Sequence, residues 1–232
     1  MLDTTNLLFY GSIAVELLFC FHLIWTKLAK SYPVFTVCLG VTVVRALAAI
    51  YFMRGASGPR LPLVYTYYWL WSEPFWLLLQ IAVALEVHNK MWKDHRQVVR
   101  QTRPLLLFGL LTALTAAAIP LRSEIAHPGG SRLVTLMHFG ITATRYISSV
   151  LAIFLVLSAV LFLVVVRDVK ASNVFRHEGV LAAYFAVYAM AAFLIDTGWL
   201  IADLVNGYFV AAITLCWLAW FGVFRPQALT TE

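Results

Sequence analysis

Seven long apolar runs separated by short polar segments dominate the chain, at about residues 6–27, 33–53, 62–87, 104–121, 133–166, 178–202 and 208–224. Inside each run the hydrophobic residues are continuous. A transmembrane β-barrel would instead need segments of about ten residues alternating apolar and polar. A helix rises about 1.5 Å per residue, so about 20 apolar residues cross a hydrocarbon layer of about 30 Å. Helices also satisfy their own backbone hydrogen bonds where no water is available. The pattern predicts an all-α polytopic membrane helix bundle of seven transmembrane helices, with residues 1–232 forming one domain. The fifth run is too long for one straight crossing, which predicts a helix that tilts or projects beyond the bilayer. The fourth and seventh are the shortest.

Composition sharpens this picture. Hydrophobic residues make up 62% of the chain and charged ones 12%, against about a quarter charged in soluble domains. The charges also fix an orientation. Lys27, Lys30, Lys90, Lys93, Arg96, Arg100, Arg103, Arg167, Lys170, Arg176 and Arg225 fall on one side, and only Arg54, Arg60, Arg122 and Arg132 on the other. Positive charge favours the cytoplasmic face, which predicts an N-out, C-in multi-pass protein of the cell inner or plasma membrane. The start, Met1 to Asn6, carries no basic residue, so a cleavable signal peptide is not expected. Lys90, Lys93, Arg96, Arg100 and Arg103 would meet anionic inner-leaflet lipids, and the loop 88–103 would lie on that surface as a short amphipathic helix. Basic inner loops explain the net charge of +6 without nucleic acid. Cys20, Cys38 and Cys216 all fall within spans, with no CxxC pair, so no structural disulfide is expected.

Candidate chemistry lies where polar groups enter the spans. An ionisable group at bilayer depth costs about 2.5–3.5 kcal/mol and usually faces the bundle interior with a partner. Glu16, Arg45, Glu73, Arg145 and Asp196 are placed this way, each about 10–18 Å in from the outer end of its helix. The cytoplasmic halves of helices 4 to 7 hold almost none. At 100° per residue, Tyr65, Trp69, Ser72, Glu73, Trp76 and Gln80 share an arc of about 100° on helix 3. Thr135, His138, Thr142, Arg145 and Ser149 do so on helix 5, and Ser12, Glu16 and Cys20 on helix 1. Pro74 removes a backbone donor beside Glu73 and predicts a kink. These features predict an outward-opening pocket lined by Glu16, Arg45, Tyr65, Trp69, Glu73, Trp76, His138, Arg145 and Asp196. Aromatics would hold an apolar or cationic ligand and the charges would orient it.

Plainer readings stand beside this one. Ion pairs of Arg45 with Glu16 or Glu73, and of Arg145 with Asp196, can fix helix register and nothing more. Tyr65, Tyr67, Tyr68, Trp69 and Trp71 also read as an interfacial belt, and Gly179, Ala182, Ala183, Ala186 and Ala189 as close helix packing.

Known membrane chemistries are mostly excluded. Helix 7 lacks the lysine that rhodopsins use for retinal, so the likeness to rhodopsins and seven-helix receptors is one of helix count and topology. Histidines 88, 95, 127 and 177 fall in loops, and His22 and His138 lie at opposite depths. Neither a metal site nor a haem is therefore expected. No cofactor and no catalytic group is assigned. The string Tyr68-Trp69-Leu70-Trp71-Ser72-Glu73-Pro74, with the basic loop that follows helix 3, resembles uncharacterised seven-helix bacterial membrane proteins. That resemblance implies the architecture and no activity. Ligand binding or sensing, with output through a membrane or cytoplasmic protein partner, is the first expectation. A small-molecule or ion transporter or channel is the second, and a structural subunit of a membrane complex the third. An intramembrane enzyme using Glu73 or Asp196 ranks last.

Overall fold

The computed structural model of the chain describes residues 4–55, 61–126, 132–166, 173–197 and 202–223. They form seven α-helices: α1 (Thr4–Trp25), α2 (Pro33–Gly55), α3 (Leu61–Met91), α4 (Arg96–Ala126), α5 (Arg132–Val165), α6 (Asn173–Asp196) and α7 (Ala202–Val223). There is no strand among the described residues. Helices α1 to α6 are long and apolar enough to cross a membrane, while the apolar part of α7, Gly207–Val223, is shorter.

The distribution of side chains is that of a membrane bundle. Phe21, Trp25, Trp71, Phe75, Leu105, Phe108 and Leu111 face outward and are exposed, whereas Glu16, Glu73, Gln80, His88, His177 and Glu178 are buried inside. Water as the surrounding medium would make that exchange unfavourable on both counts; hydrocarbon makes the apolar exterior free of cost.

Helix neighbours follow from close approach at small residues and from short turns. α1 packs on α2 and α7, α2 on α3, α3 on α5 and α6, and α6 on α5 and α7. These six form a closed ring. α4 packs against α5 outside it. Gly109 on α4 permits that approach, since a Cβ there would stand 3.0 Å from a Val150 methyl. Between α1 and α2 the chain reverses through Lys27, whose φ of 58° is left-handed, and a 3₁₀ turn at Leu28–Lys30. Pro33 then opens α2, where its missing N–H costs nothing.

Several boundaries differ from the sequence expectation. α3 continues to Met91 and α4 begins at Arg96, so the expected surface loop 88–103 is a turn of four residues between two long helices. His88 is thereby inside a helix and fully buried. α6 starts at Asn173 rather than 178, which moves His177 from the expected loop into a helix. Polar residues hid these ends, because hydropathy stops at the first charges although the helix does not. α5 has 34 residues, or about 51 Å, in keeping with a helix longer than the hydrocarbon layer. α3 stays helical through Pro74, which is exposed on the outer surface.

Candidate functional site: a charged aromatic chamber

Six helices contribute side chains to one chamber of about 540 Å³. Phe9, Ser12, Ile13 and Glu16 come from α1; Thr42, Arg45, Ala46 and Ala49 from α2; Tyr68, Trp69, Glu73 and Trp76 from α3. Ile141 and Thr144 come from α5, Tyr188, Ala191, Ala192 and Ile195 from α6, and Phe209, Val210 and Ile213 from α7. Odd-numbered helices contribute residues from their starts to about their middles, and even-numbered ones from about their middles to their ends. All of these residues therefore lie toward the same end of the bundle, the end at which α1 begins. α4 contributes none.

The sequence pattern explains why these groups converge. Ser12 and Glu16 are one turn apart on α1, as are Trp69, Glu73 and Trp76 on α3. Arg45 sits on the stripe of α2 that faces α3. Its Nη2 donates to Glu73 Oε2 at 2.7 Å, and its guanidinium lies 4.8 Å from the Trp76 ring centroid. The other Glu73 oxygen, Oε1, accepts from the Thr144 hydroxyl at 2.9 Å, with the Gly140 carbonyl an alternative acceptor at 2.9 Å. Both oxygens of Glu73 are thus engaged, which is what a carboxylate in a low-dielectric interior requires.

Neighbouring groups hold this pair in place. Trp76 Nε1 donates to Thr42 Oγ1 at 3.2 Å, and the Thr42 hydroxyl donates to the Cys38 carbonyl at 2.9 Å. Tyr68 donates to the Arg45 carbonyl at 2.9 Å. The Trp76, Tyr188 and Phe209 rings follow one another with centroids 4.8 and 4.7 Å apart. Gly140 lets the Trp69 ring approach the α5 backbone closely, since a Cβ there would stand 2.8 Å from two of its ring carbons.

Glu16 is different. It is 5% exposed. Its Oε1 accepts from Trp217 Nε1 at 2.9 Å, and its Oε2 has no hydrogen-bond partner among the described residues.

Of the residues named from the sequence, Glu16, Arg45, Trp69, Glu73 and Trp76 come together around this chamber. The side chains of Tyr65 and Asp196 lie outside the described residues, and with them the expected Arg145–Asp196 pair. His138 is exposed on α5 and does not line the chamber. Neither does Arg145, whose guanidinium lies 4.9 Å from the Tyr146 ring centroid and 4.8 Å from that of Phe193. The reason is helical phase. α5 packs against α3, α4 and α6 and so buries more than one face. Thr144 and Ser148, not the His138–Arg145 stripe, lie toward α3. Thr42, Thr144, Tyr188 and Phe209 were not singled out from the sequence, and Tyr68 was read there as part of an interfacial belt and not as a pocket residue. For Thr42 the signal was available, one turn before Arg45; for Tyr188 and Phe209 no polar pattern marks the site.

A second polar cluster occupies the opposite end. His88 Nε2 stands 2.8 Å from Thr102 Oγ1, and Nδ1 stands 2.8 Å from Ser158 Oγ. Thr102 spends its proton on the Val98 carbonyl at 2.9 Å, and Trp92 Nε1 donates to Ser158 Oγ at 3.0 Å. One consistent direction results: His88 donates through Nε2 to Thr102 and accepts at Nδ1 from Ser158. Beside it, Glu86 of α3 accepts from the amides of Val34 at 3.2 Å and Phe35 at 2.9 Å, capping the start of α2. Burial and the Glu86 carboxylate push Tyr32 up to about 12, so its neutral ring receives the Lys90 ammonium 4.0 Å from the centroid. His177 and Glu178 are fully buried on α6. They correct the expectation that the cytoplasmic halves of helices 4 to 7 hold almost no ionisable group. Leu151, Leu155, Leu181 and Phe185, all buried, lie between this cluster and the chamber. Among the described residues no group of three His, Cys, Asp or Glu is gathered as a metal ion would need.

Compared with known proteins, the chain matches no family, no curated protein and no solved structure.

Proposed function

We propose that this protein is a seven-span ligand-binding or sensory membrane protein, N-out and C-in, whose chamber opens to the exterior. The observation that carries this reading is the chamber: about 540 Å³, within the range of roughly 300–1,000 Å³ common to small-molecule sites. Its wall combines aromatic rings with a few fixed polar groups, the usual composition of such sites. The orientation rests on the basic residues Lys27, Lys30, Lys90, Lys93, Arg96, Arg100 and Arg103, all at the end opposite the chamber. In this reading anionic inner-leaflet lipids meet Lys90, Lys93, Arg96, Arg100 and Arg103, and a partner protein receives the output there.

The transporter reading requires a polar route through the bundle. Gln80 and Ser148 extend polarity below the chamber by about 10 Å and 6 Å from Glu73 and Thr144. Beyond them Leu151, Leu155, Leu181 and Phe185 interpose an apolar layer, which favours binding over passage. A thermal-shift screen of the full chain in nanodiscs tests the proposal. At least one compound should stabilise the protein saturably, and Ala191→Trp, which fills the chamber, should abolish that shift. Compounds that bind equally well to Ala191→Trp, or substrate flux in liposomes that is lost in Glu73→Gln, would count against it.

A further inference from the structure

Acidic groups outnumber basic ones among the described residues of the chamber wall. Among the described lining residues, Glu16 and Glu73 supply two carboxyl groups and Arg45 one guanidinium. Arg45 is committed to Glu73 at 2.7 Å, and Thr144 serves the second Glu73 oxygen. Arg145, the other intramembrane cation in the described part, stands on Tyr146 and Phe193 and not in the wall. Glu16 is left with a single neutral donor, Trp217, on one oxygen and none on the other. A buried intramembrane carboxyl group with one oxygen unserved is a default candidate for a functional contact. The rest of the wall suits a positive partner, with the rings of Phe9, Tyr68, Trp69, Trp76, Tyr188 and Phe209. Ring faces attract cations, most strongly when water is excluded, and a cage of them recognises quaternary ammonium groups. The Arg45 guanidinium, 4.8 Å from the Trp76 centroid, already uses that attraction. Among the described lining residues, an anionic ligand would find the Arg45 guanidinium already occupied and the Glu16 carboxyl group opposing it.

We infer that the chamber takes an organic monocation of the ammonium class, with its charge beside Glu16 and its apolar body against the aromatic wall. The inference rests on the reading of the chamber as a ligand site and narrows it to one charge class.

The test uses the full chain in nanodiscs and three probes of similar shape: benzyltrimethylammonium, its uncharged isostere neopentylbenzene, and phenylacetate. Binding is followed by tryptophan fluorescence, with free concentrations corrected for partition into lipid. The cation should bind saturably and at least about tenfold more tightly than the isostere, and phenylacetate should not bind. Glu16→Gln keeps an oxygen for Trp217 and removes the charge. It should lower cation affinity about tenfold and leave the isostere unchanged. If the isostere or phenylacetate binds as tightly as the cation, with binding lost in Ala191→Trp, the chamber is a ligand site and the cation assignment is wrong. If none of the three binds, both the assignment and the ligand-site reading fail. The isostere ratio is measured on the unaltered chain, so it decides even where Glu16→Gln does not fold.

Discussion

Removing Arg45 should be far more damaging than removing most residues of its size. Its loss leaves the Glu73 carboxylate buried without its counter-charge, a change that typically costs about 3–5 kcal/mol. Thermal or denaturant unfolding of Arg45→Ala in detergent measures this. Exchanging the two charges, Arg45→Glu with Glu73→Arg, should recover part of the loss, and no recovery would show that the pair is not the source. Gly140 makes a separate prediction. Alanine there puts Cβ 2.8 Å from Trp69, so the ring must swing into the chamber. Overpacking of this kind costs about 1–3 kcal/mol, and the displaced ring should alter the accessibility of Trp69 to aqueous quenchers. The intramembrane charges announced themselves in the sequence because each is costly at that depth. The pairing of Arg45 with Glu73 was one of two options, Glu16 being the other, that the sequence left open. Thr144 was not legible, because a threonine in a span usually bonds back to its own helix, and only the approach of α3 turns its hydroxyl toward Glu73.

The elements depend on polar joints that periodicity does not display. Ser158 receives Trp92 and serves His88. Ser158→Ala should therefore orphan two buried nitrogens, at about 1–3 kcal/mol for an unsatisfied group. Adding Trp92→Phe should restore part of that stability in the same unfolding assay. Glu86 caps α2 from a neighbouring helix, and Glu86→Ala should cost about 1 kcal/mol, the usual value of a lost cap. Hydrogen exchange checks it locally, with the Val34 and Phe35 amides losing protection while the middle of α2 keeps it. Helix number and the long α5 were readable from apolar run length. The ends of α3 and α4 were not, because Lys90, Arg96, Arg100 and Arg103 end a hydropathy run although their helices continue past the hydrocarbon. His88 was misplaced for the same reason, as the residue directly after Val87, the last one counted in the apolar run.

At the scale of the molecule, a ring of six helices, with α4 braced outside it, holds a chamber at one end and an apolar layer across the middle. Membrane character was fully legible, since the solvent is written into composition. The identity of the chamber's lining was only partly so, because α6 and α7 enter it with Tyr188, Ala191, Phe209 and Ile213, residues that look like any packed helix face. The central claim is that this chamber opens to the exterior while the basic turn at Lys93 lies inside. Labelling of single cysteines in intact cells tests it directly, in a chain whose Cys20, Cys38 and Cys216 are replaced by alanine. With a small, membrane-impermeant cationic thiol reagent, Ala49→Cys should react from outside and Lys93→Cys should react only after permeabilisation. Prompt labelling at position 93 in intact cells, with position 49 silent until they are opened, would contradict the account.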